Sequence, residues 1–161
     1  MAIPRLTFIT SATQSSGRID FTGLSSTYKG YRFYMADVAI SGVTYIVMRV
    51  STDNGSNFDS AANYQQVPID VSSSGDPALS GFPPIDKSAG NYNVSGYIDL
   101  YFNNIASANP TYASKACRTG GTLGTWELGI YKNQANVNAV RFTGVAGDNI
   151  GTGTIYKYGI S

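Results

Sequence analysis

Apolar and polar side chains alternate with a period of two in several short stretches of this chain, and no stretch has a convincing helical period. The clearest alternating stretch is 94–102. Its even-numbered positions include Ile98 and Leu100, and its odd-numbered positions include Tyr97 and Tyr101. Because successive side chains of a β-strand point to opposite faces of the sheet, this pattern predicts a strand with one apolar and one polar face.

Similar stretches recur along the whole chain and are separated by turn signals rich in Gly, Ser, Asn and Asp. Short strands at this spacing are typical of a sandwich or barrel, and long connections favour a jelly-roll or Greek-key sandwich. We therefore predict a single all-β domain over residues 1–161, an antiparallel β-sandwich of jelly-roll or Greek-key type with about 9–10 strands. The predicted strands are 6–13, 18–24, 31–40, 43–52, 63–71, 94–102, 113–118, 125–132, 137–143 and 154–160.

Two connections carry specific expectations. The two-residue break at Ser41 and Gly42 predicts a tight hairpin between the strands on either side of it. Residues 72–93 are rich in Ser, Gly, Pro and Asp, and they predict one long loop. An ordered loop of that length usually serves a function in a compact domain.

The core is predicted from the apolar faces of two strands, 94–102 and 125–132. We expect these two faces to pack into one core, because each contains large apolar side chains at alternate positions. The residues concerned are Ile98, Leu100 and Phe102 from the first strand and Trp126, Leu128 and Ile130 from the second.

The composition excludes several classes of function. Only 13% of the residues are charged and the net charge is +1, so the chain lacks the basic field that nucleic-acid binding requires. The absence of histidine removes the common Ser-His-Asp and Cys-His catalytic systems and most catalytic zinc sites. The single cysteine, Cys117, cannot form an intrachain disulfide, so packing must stabilise the domain.

Hydropathy gives expectations about localisation. No segment has about 18 consecutive apolar residues, so we expect no membrane insertion. Residues 1–5 do not begin a signal peptide, because no long apolar stretch follows a basic one. We expect the chain to be made and folded in the cytoplasm of the cell that produces it.

The stretch 53–59 has oxygen-bearing side chains at alternating positions around Gly55, as the first half of a calcium loop does. Tyr64 stands where such a loop would carry its bidentate glutamate. We therefore interpret the stretch as a hairpin turn in which Asp53 and Asn54 accept backbone hydrogen bonds, and we expect no metal or other cofactor.

Asp99 and Glu127 are the best candidates for a pair of catalytic carboxylates, which glycoside hydrolysis would require about 5–9 Å apart. Both lie at polar positions of predicted strands and could face each other across a sheet. A solvated strand face is the simpler interpretation. We expect no enzymatic activity and assign no catalytic residue.

Twelve tyrosines are spread over most of the predicted strands. A sheet face of tyrosines surrounded by Asn and Ser can stack sugars or pack against a neighbouring subunit, and the alternative is ordinary packing within the domain. The residues that we predict for an interaction surface are Phe82, Tyr92, Tyr97, Tyr101 and Lys157.

Five sequence motifs occur in a recognisable order. They are Ile-Asp-Phe-Thr-Gly-Leu at 19–24, Tyr-Lys-Gly-Tyr at 28–31, Met-Arg-Val-Ser-Thr-Asp-Asn-Gly-Ser-Asn-Phe-Asp at 48–59, Ala-Val-Arg-Phe at 139–142 and Gly-Asp-Asn-Ile-Gly-Thr-Gly-Thr-Ile-Tyr-Lys-Tyr-Gly-Ile at 147–160. In order and spacing this chain resembles small virion proteins of tailed bacteriophages, of the capsid-decoration, head-fibre or tail-fibre type. The closing strand of such proteins tends to be apolar where Lys157 stands, so we expect Lys157 to face solvent or a partner.

The resemblance implies a β-sandwich displayed on the virion surface, without catalytic residues. Its main expectation is a structural protein that decorates or cements the capsid, with the major capsid protein as partner and a homotrimer as the assembly. Low charge independently favours association, because few charged groups keep copies apart. The alternative expectation is a receptor- or glycan-binding module at a fibre tip, which would bind a host surface glycan.

Overall fold

The computed structural model describes residues 5–14, 16–41, 45–68, 76–79, 81–83, 93–101, 109–118, 124–133, 136–145 and 149–161. Within these ranges the chain forms β-strands, turns and irregular segments, with no helix and hence none that could span a membrane. The strands are β1 (Leu6–Thr13), β2 (Arg18–Phe21), β3 (Gly30–Ser41), β4 (Ile46–Ser51), β5 (Tyr64–Pro68), β6 (Asp76–Leu79), β7 (Asn93–Tyr101), β8 (Thr111–Arg118), β9 (Gly124–Tyr131), β10 (Ala139–Gly144) and β11 (Asn149–Ile160).

The strands form two antiparallel sheets that pack face to face. The larger sheet has the order β1-β11-β3-β7-β8-β9-β5-β6, and the smaller has the order β2-β10-β4. Aromatic rings join the layers: the centroid of Phe33 on β3 lies 5.4 Å from that of Phe142 on β10 and 5.5 Å from that of Phe21 on β2. The predicted antiparallel β-sandwich is therefore confirmed.

A second group of rings extends the core under the far end of the larger sheet. Tyr64 on β5 contacts Phe82 and Tyr131, with centroid distances of 4.8 and 5.1 Å. Phe82 also contacts Tyr112 on β8, at 4.1 Å. Aromatic side chains bury much apolar area each, so these contacts make a large contribution to the packing.

The predicted hairpin between the strands around Ser41 and Gly42 is wrong. β3 lies in the larger sheet and is paired on both edges, with β11 and β7. Since neither edge of β3 is open, the chain crosses to the smaller sheet, where β4 pairs with β10.

The stretch 72–93, predicted as one loop, contains the short strand β6. It also contains Phe82, whose backbone exchanges hydrogen bonds of 2.7 and 2.8 Å with Met48 on β4. These contacts hold residues 81–83 against the smaller sheet. Residues 72–75, 80 and 84–92 lie outside the described residues.

The predicted core is correct for Ile98 and Leu100, which are fully buried, and wrong for β9. Trp126 is 56% exposed and Leu128 is also exposed, whereas Glu127 between them is 1% exposed. Gly129 explains the orientation of this strand. A Cβ atom at Gly129 would overlap the Tyr112 ring and the carbonyl oxygen of Gln65, so only glycine fits at this inward-facing position.

The remaining predicted core positions divide into two cases. Ile130 shares the outward parity of Trp126 and is half-buried. Phe102 lies outside the described residues.

Candidate functional site

The side of the larger sheet that faces away from the smaller sheet, which we name the outer face, collects most of the exposed apolar surface. Seven large apolar side chains are exposed among the described residues, and all except Ile9 belong to this face by strand register. Exposed apolar side chains collected on one face make that face a candidate interaction surface. The six are Leu6, Phe8, Tyr34, Tyr101, Trp126 and Leu128.

Part of the outer face is a line of side chains in direct cross-strand register, which we name the aromatic row. From β11 to β9 the row consists of Tyr156, Tyr34, Tyr97, Lys115 and Trp126. Neighbouring strands lie about 4.8 Å apart, so the row is about 19 Å long. The rings of Tyr156 and Tyr34 are 6.4 Å apart between centroids, within contact range.

A groove of about 570 Å³ opens at the middle of this row. Small-molecule sites commonly have volumes of about 300–1,000 Å³, so the groove is large enough for a ligand. Its large lining side chains are those of Tyr34, Tyr97, Lys115 and Trp126, and the smaller lining residues are Ser95, Gly96, Ala116 and Cys117.

A partly buried ion pair supports one side of the groove. Arg32 donates to the two carboxylate oxygens of Asp99 at 2.7 Å each, and this pairing raises the pKa of Arg32. The guanidinium carbon of Arg32 lies 3.9 Å from the ring centroid of Tyr97, and the Tyr101 hydroxyl donates to Asp99 at 3.3 Å. Because Asp99 fixes Arg32, the guanidinium of Arg32 supports the ring of Tyr97 in a defined orientation.

Lys115 gives the groove its charge. It is exposed, and its ammonium nitrogen lies 5.7 Å from the ring centroid of Trp126, within the range of a cation–π contact. The ion pairs found among the described residues involve Arg18, Arg32 and Arg141, and none involves Lys115. Since Asp99 neutralises Arg32, the Lys115 ammonium is the charge that the groove presents.

The structure brings two of the five predicted surface residues together and separates two others. Tyr97 and Tyr101 lie on the outer face around Asp99. Phe82 is fully buried in the core, so its assignment to a surface is corrected. Tyr92 lies outside the described residues.

The expectation that Lys157 faces solvent or a partner is also corrected. Lys157 is 7% exposed, pairs with Phe33 and therefore points between the sheets. Its ammonium donates to the carbonyl oxygen of Thr22 at 3.4 Å and lies 5.7 Å from the ring centroid of Phe21. Burial lowers the pKa of Lys157.

Three groove residues, Tyr34, Lys115 and Trp126, were not assigned to the interaction surface from the sequence. For Tyr34 a signal is present, because the buried residues Phe33 and Met35 flank it and strand alternation then turns Tyr34 outward. For Trp126 the alternation is misleading, because it shares the apolar side of its strand with Leu128 and Ile130, and that side faces outward.

Asp99 and Glu127 do not form a catalytic pair. Asp99 lies on the outer face, whereas Glu127 pairs with the buried Ser114 and points into the core. The predicted solvated face is wrong as well, because both side chains are buried. The geometry that glycoside hydrolysis requires is therefore absent between these two carboxylates.

The carboxylate of Asp53 stabilises its own turn, as predicted. It accepts hydrogen bonds from the backbone of Asn57 at 2.8 Å and from the Ser51 hydroxyl at 2.7 Å, which lowers the pKa of Asp53 to about 2. The Asn54 side chain accepts a bond from the backbone of Gly23 at 3.0 Å. The turn is confirmed, but it does not close a hairpin, because β4 and β5 belong to different sheets.

Within the described ranges, no group of three or more His, Cys, Asp or Glu side chains is placed to hold a metal ion. Compared with protein-family models, curated proteins and solved structures, the chain matches no family model, no curated protein and no solved structure. The resemblance to phage virion proteins therefore remains an expectation from the sequence motifs.

Proposed function

We propose that this chain is a non-enzymatic structural protein of a tailed-bacteriophage virion, which decorates or cements the capsid through contacts with the major capsid protein and with its own copies. The observation that carries the proposal is the exposed edge strand β1. The virion role and the trimeric assembly are expected from the motif resemblance. The edge strand provides a physical means of attachment.

β1 is the outermost strand of the larger sheet, and its eight residues are exposed except for the half-buried Ala12. It contains no charged residue and no proline, and Leu6, Phe8 and Ile9 are exposed, Phe8 to 55%. An edge strand presents a row of unpaired N–H and C=O groups, and one that is long and apolar readily pairs with another chain.

The other sheet edges have short strands, proline, charged residues or a covering segment, and β1 has none of these. β6 has only four residues and contains Pro77, which cannot donate to a ladder. β2 also has four residues, and Arg18 and Asp20 put charges on it. The backbone of Phe82 covers part of the β4 edge.

A bulge at Ile9 interrupts β1, because its register against β11 shifts between Phe8 and Thr10. Bulges are themselves a common protection of edges. The strand nevertheless stays paired with β11 on both sides of the bulge, which leaves two short segments with a regular outer edge. A neighbouring chain can therefore pair with either segment.

The two carboxylates that the sequence suggests as a catalytic pair are not available for catalysis, which supports a non-enzymatic role. The only glutamate, Glu127, points into the core, and Asp99 is engaged by Arg32. With no histidine in the sequence, the common nucleophile systems have no general base.

The test is incorporation into particles. We expect the Phe8→Lys variant to be folded and monomeric in light scattering, and to be missing from purified particles when its copies are counted by quantitative mass spectrometry. The matched control is Ser60→Lys, which adds the same charge at an exposed position outside the strands. Normal incorporation of Phe8→Lys would overturn the role of β1, and absence of the wild-type chain from particles would overturn the virion assignment. Imaging of labelled particles distinguishes capsid from tail.

A receptor- or glycan-binding module is the second candidate function. The observation that favours it is the 56% exposure of Trp126 beside an open groove. A ligand that covers the exposed apolar surface of this ring gains free energy from its burial.

A further inference from the structure

We propose that the groove lined by Tyr34, Tyr97, Lys115 and Trp126 is a binding site for an acidic oligosaccharide. The rings would stack against sugar rings, and the Lys115 ammonium would pair with a sugar carboxylate. The proposal does not rest on a virion role for the protein.

The aromatic side chains suit sugar rings in both shape and polarity. A pyranose presents a face of C–H groups and a rim of hydroxyls, which matches an amphipathic ring such as that of tyrosine or tryptophan. Tyr34 is 44% exposed and Trp126 56% exposed, so both rings have free surface to give to a ligand.

The dimensions favour a short oligosaccharide over a single sugar. Tyr34 on β3 and Trp126 on β9 are three strand spacings apart, which is about 14 Å. The lining residues Ser95 and Cys117, which face outward in register with each other next to Tyr97 and Lys115, have small side chains, so the groove has room beside the rings. A chain of sugar rings can therefore lie across the strands and contact both aromatic ends.

The charge of the groove selects an acidic ligand. Lys115 lies between Tyr97 and Trp126 in the aromatic row, and no described carboxylate pairs with it. A neutral sugar that covered Lys115 would strip water from the ammonium without a compensating charge, which is unfavourable. A carboxylate on the sugar supplies that charge and gains a charge-assisted hydrogen bond.

The site is largely formed before a ligand arrives. Arg32 stacks on Tyr97 and is itself fixed by two hydrogen bonds to Asp99, while Tyr34 contacts the ring of Tyr156. Binding to a preorganised site loses little side-chain entropy. Trp126 is also about 24 Å from β1, five strand spacings away, so a chain paired with β1 leaves the groove open.

The experiment uses intrinsic fluorescence, because Trp126 is the only tryptophan and therefore reports on the groove directly. The full chain is titrated with oligogalacturonate and with oligosialic acid, and with neutral galactose oligomers of the same length as comparison. We expect at least one acidic probe to change the emission saturably, to bind at least about tenfold more tightly than the neutral oligomer, and to weaken with added salt.

Three variants test the assigned roles. Calorimetric titration should show lost binding for Trp126→Ala and about tenfold weaker binding for Lys115→Gln, with less salt dependence. The matched control is Leu128→Ala, which truncates an exposed side chain of the same strand and face outside the groove lining and should bind normally.

The proposal is overturned if neither acidic oligosaccharide binds, if the neutral oligomers bind as tightly, or if Lys115→Gln binds as the wild type does. Tighter binding of an oligoglutamate peptide than of either sugar would assign the groove to an acidic protein segment instead. Incorporation into particles is measured separately, so failure here leaves the proposed virion role standing.

Discussion

Arg32 and Asp99 lie directly opposite each other on β3 and β7 and are joined by two hydrogen bonds of 2.7 Å on the outer face of the larger sheet. Asp99 is almost fully buried although its strand position faces away from the core, because Arg32 and Tyr101 cover it. The pair therefore links the stability of the sheet to the orientation of Tyr97, on which Arg32 stacks.

We predict that neutralising Asp99 destabilises the protein more than neutralising Asp20, although both carboxylates accept the same two-pronged pairing from an arginine. The Asp99 side chain is 5% exposed and that of Asp20 is 31% exposed. Asp99→Asn should cost about 2–3 kcal/mol, because it leaves a partly buried guanidinium without its charge partner. Asp20→Asn should cost less than about 1 kcal/mol. Urea midpoints, compared at unchanged m-values, measure the loss in free energy of unfolding for each variant. Equal losses would contradict the role of burial.

Trp126→Ala should lower the free energy of unfolding by less than about 1 kcal/mol, since solvent already surrounds much of the side chain. Phe33→Ala, which removes a fully buried ring between the two sheets, should cost about 3–5 kcal/mol. Thermal unfolding followed by circular dichroism compares the two variants. A similar loss for both would place the Trp126 side chain in the core.

Lys157→Met should stabilise the protein by about 1–2 kcal/mol, because it replaces a buried ammonium with an apolar side chain of similar length. The carbonyl oxygen of Thr22, which accepts the bond from Lys157, belongs to an exposed residue and can bond to water instead. The matched control is Lys29→Met at an exposed position, which should change stability by less than about 0.5 kcal/mol. Denaturant midpoints measure the stability change in both variants. A loss of stability in Lys157→Met would show that the buried amine contributes net stabilisation.

Stability should fall as the pH rises above about 10, the ordinary tyrosine pKa. Burial, together with the hydrogen bond to Asp59, raises the pKa of Tyr131 to about 12, and burial raises the pKa values of Tyr64 and Tyr112 further. Between pH 10 and those values the unfolded chain has lost the phenolic protons that the folded chain keeps, so deprotonation favours unfolding.

Denaturant midpoints measured from pH 8 to pH 11, with phenolate absorbance recorded in parallel, test this dependence. Tyr131→Phe should be less stable at pH 8, because it loses the bond to Asp59, but should lose less stability per pH unit above pH 10. A flat profile up to pH 11 would contradict the buried state of these tyrosines.

Local alternation was enough to predict the class of fold and the two faces of β7. Ile98 and Leu100 point into the core and Tyr97 and Tyr101 point outward, as their spacing indicates. The bounds of β1 agree with the prediction over 6–13 as well. These features depend only on the period of two in the backbone and on the difference between apolar and polar side chains, and both are present in the sequence.

Tertiary structure alone decided which strands pair and which alternate side chains of β9 face the core. The chain crosses from β3 to the smaller sheet because β11 and β7, distant in sequence, occupy both edges of β3. Glu127 points inward and Trp126 outward because Gly129 packs under the ring of Tyr112, a contact between two strands that hydrophobicity along one strand does not encode. The groove depends on the same long-range register, since its aromatic row assembles one residue from each of five strands.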